Sequence, residues 1–129
     1  MKVLLDTHAF LWWASDRGRR LSPIALAVIE DPETDVFVSA ATGMEVATKV
    51  ARGRLELPGP PATYVPSRLA RHGFRALPIE MKHTLRAGSL PDTHRDPWDR
   101  ILVAQAQEES MPIVTADPVI GQYDVDVIW

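Results

Sequence analysis

Four short apolar runs, each followed by a stretch with helical signals, constrain this chain more than any other feature. They are "MKVLLD" (1–6), "DVFVS" (35–39), "FRALPI" (74–79) and "PIVTAD" (112–117), with "DVDVIW" (124–129) as a short candidate fifth. Short apolar strands that alternate with helices build a parallel sheet covered by helices on both faces. The helices carry their own punctuation. In "LSPIALAVIED", Ser22 is an N-cap and Pro23 takes the first helical position. "AATGMEVATKVARG" sets Met44, Ala47, Val50 and Ala51 at helical spacing and stops at Gly53. "THAFLWWA" reads as a helical turn or two, "LPGPPATYVP" as a proline-rich connection, and "SRLARHG" and "EMKHTLRAGSL" as helices. "DPWDRILVAQAQEES" is the clearest helix of the chain. The expected class is α/β: a three-layer α/β/α sandwich with a mainly parallel sheet of four to five strands, residues 1–129 forming one domain.

Length and charge narrow the functions open to such a fold. At 129 residues the chain suits a single domain with a real core. It has no cysteine, which removes disulfides and thiolate metal sites and is compatible with a reducing cytoplasm. The first apolar stretch is broken by Asp6 and His8, and nowhere do 18 apolar residues run together, so a soluble, unprocessed, cytoplasmic protein with no membrane partner is expected. The net charge of −3 argues against a simple nucleic-acid binder with a basic face. It leaves room for an enzyme that meets nucleic acid through metal ions held by carboxylates.

In open parallel sheets, ligands bind beyond the carboxyl ends of the strands. Four acids fall there. Asp6 closes the first strand, Glu45 lies near the start of the helix after the second, Asp99 is in the first turn of the clearest helix, and Asp117 closes the fourth strand. Four bare carboxylates in one pocket raise one another's pKa, and divalent cations resolve that conflict. An all-oxygen ligand set points to Mg²⁺ or Mn²⁺ rather than zinc. Such a site suits phosphodiester hydrolysis. Each acid also has a plainer reading. Asp6 caps the "THAF" turn, Glu45 pairs with Lys49 on a solvated face, Asp117 caps the turn at Pro118, and Asp99 complements a helix dipole. Those readings explain the acids singly but not their common side of the sheet.

"HRDPWDR" (94–100) holds two aspartates, and Pro97 separates their roles. Proline at the first helical position makes Asp96 the N-cap. Asp99 then shares a face with Leu102, Val103 and Ala106, the face expected to pack on the sheet. Asp99 is therefore assigned to the site and Asp96 mainly to the cap.

The stretches "LLDTHAFLWW", "VSAATGMEVATKVARGRLELP", "HRDPWDRILVAQA" and "IVTADPVIGQY" together resemble the PIN-domain ribonucleases, specifically VapC-type toxins of bacterial toxin–antitoxin pairs. The resemblance spans essentially the whole chain, and the combination is far more specific than any one stretch. It places Asp6, Glu45, Asp99 and Asp117 on the family's acidic metal-binding positions, with Asp96 beside them. It implies Mg²⁺- or Mn²⁺-dependent cleavage of RNA, a homodimer, and a VapB-type antitoxin that occupies the acidic site. One departure is Gly43–Met44, where relatives often carry bulkier apolar residues, and it implies looser packing around Glu45.

Among other residues, Thr7 and Thr115 are candidate hydrogen-bond donors to the carboxylates, or ordinary strand-end threonines. His8 and His94 have no assigned role. Arg95 and Arg100 are candidate phosphate contacts, with Arg100 as readily covering its helix. Trp12 and Trp13 are candidates for stacking on bases, but are read first as core packing or as part of a dimer or antitoxin groove. Asp16, Glu33 and Asp35 read as solvated charges, and Glu108 and Glu109 have no evident role. Two alternatives stand beside the nuclease. One is metal-dependent phosphotransfer to Asp6, which lacks a second acid two residues on. The other is a catalytically inactive acidic pocket that receives a basic side chain from a partner.

Overall fold

Residues Lys2–Leu5 (β1) form the central strand of a five-stranded sheet in the computed structural model, which describes residues 1–92 and 96–129. Its other strands are Asp35–Ser39 (β2), Arg75–Leu77 (β3), Ile113–Val114 (β4) and Val127–Ile128 (β5). They lie in the order β3-β2-β1-β4-β5, and every pairing is parallel. The helices between them are Thr7–Asp16 (α1), Pro23–Glu30 (α2), Ala40–Ala51 (α3), Pro61–His72 (α4), Met81–Ser89 (α5) and Pro97–Glu109 (α6). No helix among the described residues is long and apolar enough to cross a membrane.

The unbroken apolar run of β1 has a direct cause. Val3, Leu4 and Leu5 are all fully buried. Val3 and Leu5 pack with Phe10, Ala25 and Ile29 on one face, while Leu4 packs with Leu102, Val103 and Ile113 on the other. Successive side chains leave a strand on opposite faces, so a strand between two helical layers needs apolar residues at every position. Each such side chain contributes about 1.5–3 kcal/mol on burial, which makes β1 the keel of both cores.

This strand order has one reversal. The chain moves outward from β1 to β2 and β3, then crosses back over β1 to lay down β4 on its other side. The carboxyl ends of β1 and β4 therefore flank the point where the winding changes direction, the place where such sheets leave a crevice.

Several expectations are corrected here. The "THAFLWWA" segment is a full ten-residue helix rather than a turn or two. The proline-rich connection is helical from Pro61 onward, because proline suits a first helical position and Tyr64 is buried beneath it. Pro66 sits inside α4 on an exposed side, where water can serve the carbonyl its missing N–H would have bonded. In α3 the apolar stripe does not face the core. Met44, Ala47 and Ala51 are exposed, and the buried face is Ala41, Thr42, Glu45 and Val46. Gly43 and Met44 lie away from that buried face. Met44 points outward at 61% exposure, and a Cβ at Gly43 would have open space around it, with nothing from outside its own helix turn within 4 Å.

Candidate functional site

At the end of β1 the strand passes into α1 with no loop, and Asp6 is the hinge. It is the N-cap of α1, its Oδ1 accepting from the Ala9 N–H at 2.7 Å. Its Oδ2 accepts from the Thr115 hydroxyl, 109 residues away at the end of β4. The capping role foreseen for Asp6 and its place at the sheet edge are thus both real. Burial pushes its pKa above the ordinary aspartate value, and the nearby Asp117 pushes the same way. The Thr115 and Ala9 hydrogen bonds and the charge of His8 pull against that rise without cancelling it. No ion pair joins Asp6 to a described cationic residue, so a buried carboxylate is held by neutral donors.

Thr115 serves two residues at once. While its hydroxyl donates to Asp6, its oxygen accepts from the Asp117 N–H at 3.0 Å. Asp117 in turn accepts from the Val119 N–H at 2.9 Å, which turns the chain away after β4. Asp6 and Asp117 are thereby tied across the switch point through one threonine.

A second polar chain runs beside the first. The Thr7 hydroxyl donates to Glu45 Oε1 at 2.7 Å, and Thr7 and Thr42 oxygens lie 3.1 Å apart. A hydroxyl has one proton, so Thr42 must be the donor to Thr7. Glu45 Oε2 pairs with Lys49 Nζ at 2.8 Å. The expected i,i+4 pair exists, but Glu45 is buried rather than on a solvated face, because α3 turns that side toward α1. Ser39 makes the placement possible: it ends β2 and caps α3 directly, its hydroxyl accepting from the Ala41 N–H.

Asp96 is the N-cap of α6, accepting from the Trp98 N–H at 2.9 Å, and Asp99 stands in the first helical turn. Leu102, Val103 and Ala106 pack on the sheet with Leu4 and Ile113. α6 ends just before β4 begins, so its first turn, with Asp99, reaches back toward the strands' carboxyl edge. Arg100 departs from expectation. Its guanidinium donates to the carbonyls of Ala87, Leu90 and Pro91, clamping the end of α5 to α6 instead of offering itself to a phosphate. His94 and Arg95 lie outside the described residues.

Glu108 and Glu109, left without a role by the sequence, have one. Glu108 pairs with Arg86 at 2.8 Å, and Glu109 pairs with Lys82 at 3.0 Å and with His83 at 2.9 Å. Partners on α5 hold both carboxyl pKa values below the usual range: Arg86 for Glu108, His83 and Lys82 for Glu109. Glu80, His83 and Glu109 bring ligand atoms within 4.8 Å of one another, a spacing that a metal could use. The bonding argues otherwise. His83 Nδ1 accepts from the Glu80 N–H in the α5 capping box, so in the neutral ring the proton is on Nε2, pointing at Glu109. A metal at Nε2 would have to displace that proton. The group is a tie between two helices. His83→Ala is expected to lower the unfolding free energy by about 2–4 kcal/mol, through the cavity and the missing hydrogen bonds. Urea denaturation measures that loss, and Mg²⁺ affinity should not change.

A hollow of about 610 Å³ lined by Trp13, Asp31 and His72 shares no residue with the acidic edge. One of about 340 Å³ does approach that edge, through His8 and Lys49.

Comparison with known proteins bears on the family and the fold. The PIN-domain family profile matches residues 3–126. The chain is 33% identical over 116 residues to Ribonuclease VapC22 of Mycobacterium tuberculosis, covering 89% of this chain and 86% of that protein. Its fold is similar to a chain of VapBC2 from Rickettsia felis bound to a promoter DNA fragment, with a TM-score of 0.71 and 13% identity over 98% and 97% of the two chains. It is also similar to a chain of VapBC-1 from nontypeable Haemophilus influenzae, with a TM-score of 0.69 and 17% identity over 98% and 96%.

Proposed function

The chain belongs to the PIN-domain family, and on that premise we propose that it is a Mg²⁺- or Mn²⁺-dependent endoribonuclease, the toxin of a toxin–antitoxin pair. One observation carries the reading. Asp6 is a buried carboxylate at the switch point of a parallel sheet, its pKa raised, with no cationic residue paired to it among those described. A divalent cation is the counter-charge such a group lacks, and the all-oxygen surroundings suit Mg²⁺ or Mn²⁺. In this reading Asp6, Glu45, Asp99 and Asp117 hold the ion. When bound, it supplies Lewis-acid activation of water and stabilises charge on the phosphodiester and the leaving oxygen.

The chain's own residues do the positioning. Thr115 fixes the Asp6 carboxylate and the Asp117 backbone, and Thr7, itself held by Thr42, fixes Glu45. The Thr115 hydroxyl favours the ionised form of Asp6 that ligation requires. Lys49 is 36% exposed at the mouth of the site and brings a positive charge to where a phosphate arrives. Asp96 starts the helix that carries Asp99.

Another structural neighbour is described as a toxin–antitoxin complex from Klebsiella pneumoniae, and a VapB-type antitoxin that covers the acidic edge is proposed for this chain, as are a homodimer and a cytoplasmic setting. The test is cleavage of cellular RNA by the purified chain. Cutting is expected with Mg²⁺ or Mn²⁺ and should stop in excess chelator; cutting that persists after chelation overturns the reading.

A further inference from the structure

The net charge of −3 hides a local reversal. Two hollows, of about 340 and 440 Å³, meet at Ser15 and Tyr64 to form one trough along α1 and α4. Six of the chain's fourteen Lys and Arg residues line it: Arg17, Arg20, Lys49, Arg54, Arg68 and Arg71. Glu56 is the one acid on its walls among the described residues. The trough starts at the acidic edge, where Lys49 is paired with Glu45 and His8 follows Thr7. It ends past His72, where the next hollow is lined by Glu30, Asp31 and Asp35.

Two of its cations are paired, Arg20 with Asp16 and Lys49 with Glu45. Arg17, Arg54, Arg68 and Arg71 form no ion pair with a described residue. Buried Nε atoms of Arg68 and His72 and the indole N–H of Trp13 have no hydrogen-bond partner among the described residues. Burial and the charges of Arg71 and Arg68 push the His72 pKa down, as expected where cations crowd without a counter-charge. Exposed cations without an ion pair, Arg17, Arg54 and Arg71, suit an acceptor-rich anion. Rings are at hand as well: His8 is exposed and tilted against Trp12 at 5.7 Å. A cationic groove with aromatic faces is the recurring design for single-stranded nucleic acid.

Resting on the ribonuclease reading above, we propose that a single-stranded flank of the RNA leaves the acidic edge along this trough, its phosphates following Lys49, Arg54, Arg68 and Arg71 and a base meeting the His8–Trp12 pair. The His8–Trp12 rings at its mouth, on which a base can stack, favour RNA over an acidic protein segment. A strand cut at Asp6 must exit somewhere, and this cationic channel opens there.

Arg54→Gln combined with Arg71→Gln tests the assignment, since both side chains are exposed and one lies in each hollow. The probe is a mixed-sequence single-stranded RNA of about sixteen nucleotides, beside one of about four, bound in chelator at several salt concentrations. For the longer RNA, the slope of log K against log salt should shrink by about 1.4, near 0.7 for each phosphate that is no longer neutralised. The shorter RNA should be affected less. An unchanged slope for the longer RNA overturns the proposal, as does a variant that binds it normally but fails to bind the antitoxin. A reduced slope in a protein that cuts no RNA with Mg²⁺ upholds the trough and overturns the nuclease.

Discussion

Asp6→Asn is expected to abolish RNA cleavage, by on the order of 10²–10³-fold or more, while leaving the metal-free protein at least as stable at neutral pH. The two effects share one cause. Asparagine keeps an oxygen for the Ala9 N–H, so the α1 cap survives. What goes is a negative charge that burial disfavours, an effect larger than the Thr115 hydrogen bond that goes with it. The sign follows from linkage. An acid whose pKa is raised in the folded state binds more protons folded than unfolded across the interval between the two values. Its contribution to stability is fully present below the ordinary value of 3.8 and declines as pH rises through the folded pKa. The stability difference between wild type and Asp6→Asn should therefore be small in strong acid and grow in the variant's favour toward neutral pH. Mg²⁺ reverses the order, because a ligand that binds only the folded state adds stability to the protein that retains the site. Thermal melts of both proteins at several pH values, with and without Mg²⁺, read all of this. A variant that melts far below wild type without metal would mean that Asp6 is only a cap.

The second large effect separates the two aspartates around Pro97. Asp99→Asn should lose cleavage to the same degree as Asp6→Asn with little change in stability, since α6 keeps its cap and its packed face. Asp96→Ser should retain most activity, because serine also accepts from the second helical N–H. Turnover and urea unfolding on both variants decide it, and a reversed pattern would mean that the ligand is Asp96.

Much of the fold is legible locally. Ser22–Pro23 and Asp96–Pro97 set helix starts through their own chemistry, and the structure has the corresponding caps. The run of β1 foretells a strand covered on both faces because every position of such a strand must be apolar. The Asp6–Thr115 bond is not legible, since only the parallel β1–β4 pairing brings residues 109 positions apart together. The inner face of α3 escapes the sequence for a physical reason. Apolar periodicity finds a core face, but the side of α3 turned inward carries Thr42 and Glu45, and its most exposed large apolar residue is Met44. Local rules fail where polar groups are turned inside. Glu108 and Glu109 are opaque because their partners are on α5, reached only after the two helices pack.

The location of the metal is the central claim, and Mn²⁺ added stepwise to the ¹⁵N-labelled protein tests it most directly. Paramagnetic broadening should appear first at the amides of Asp6, Thr7, Glu45, Asp99 and Asp117, and should vanish in Asp6→Asn. Broadening that begins instead at Glu80, His83 and Glu109, or that is unchanged in Asp6→Asn, would contradict it.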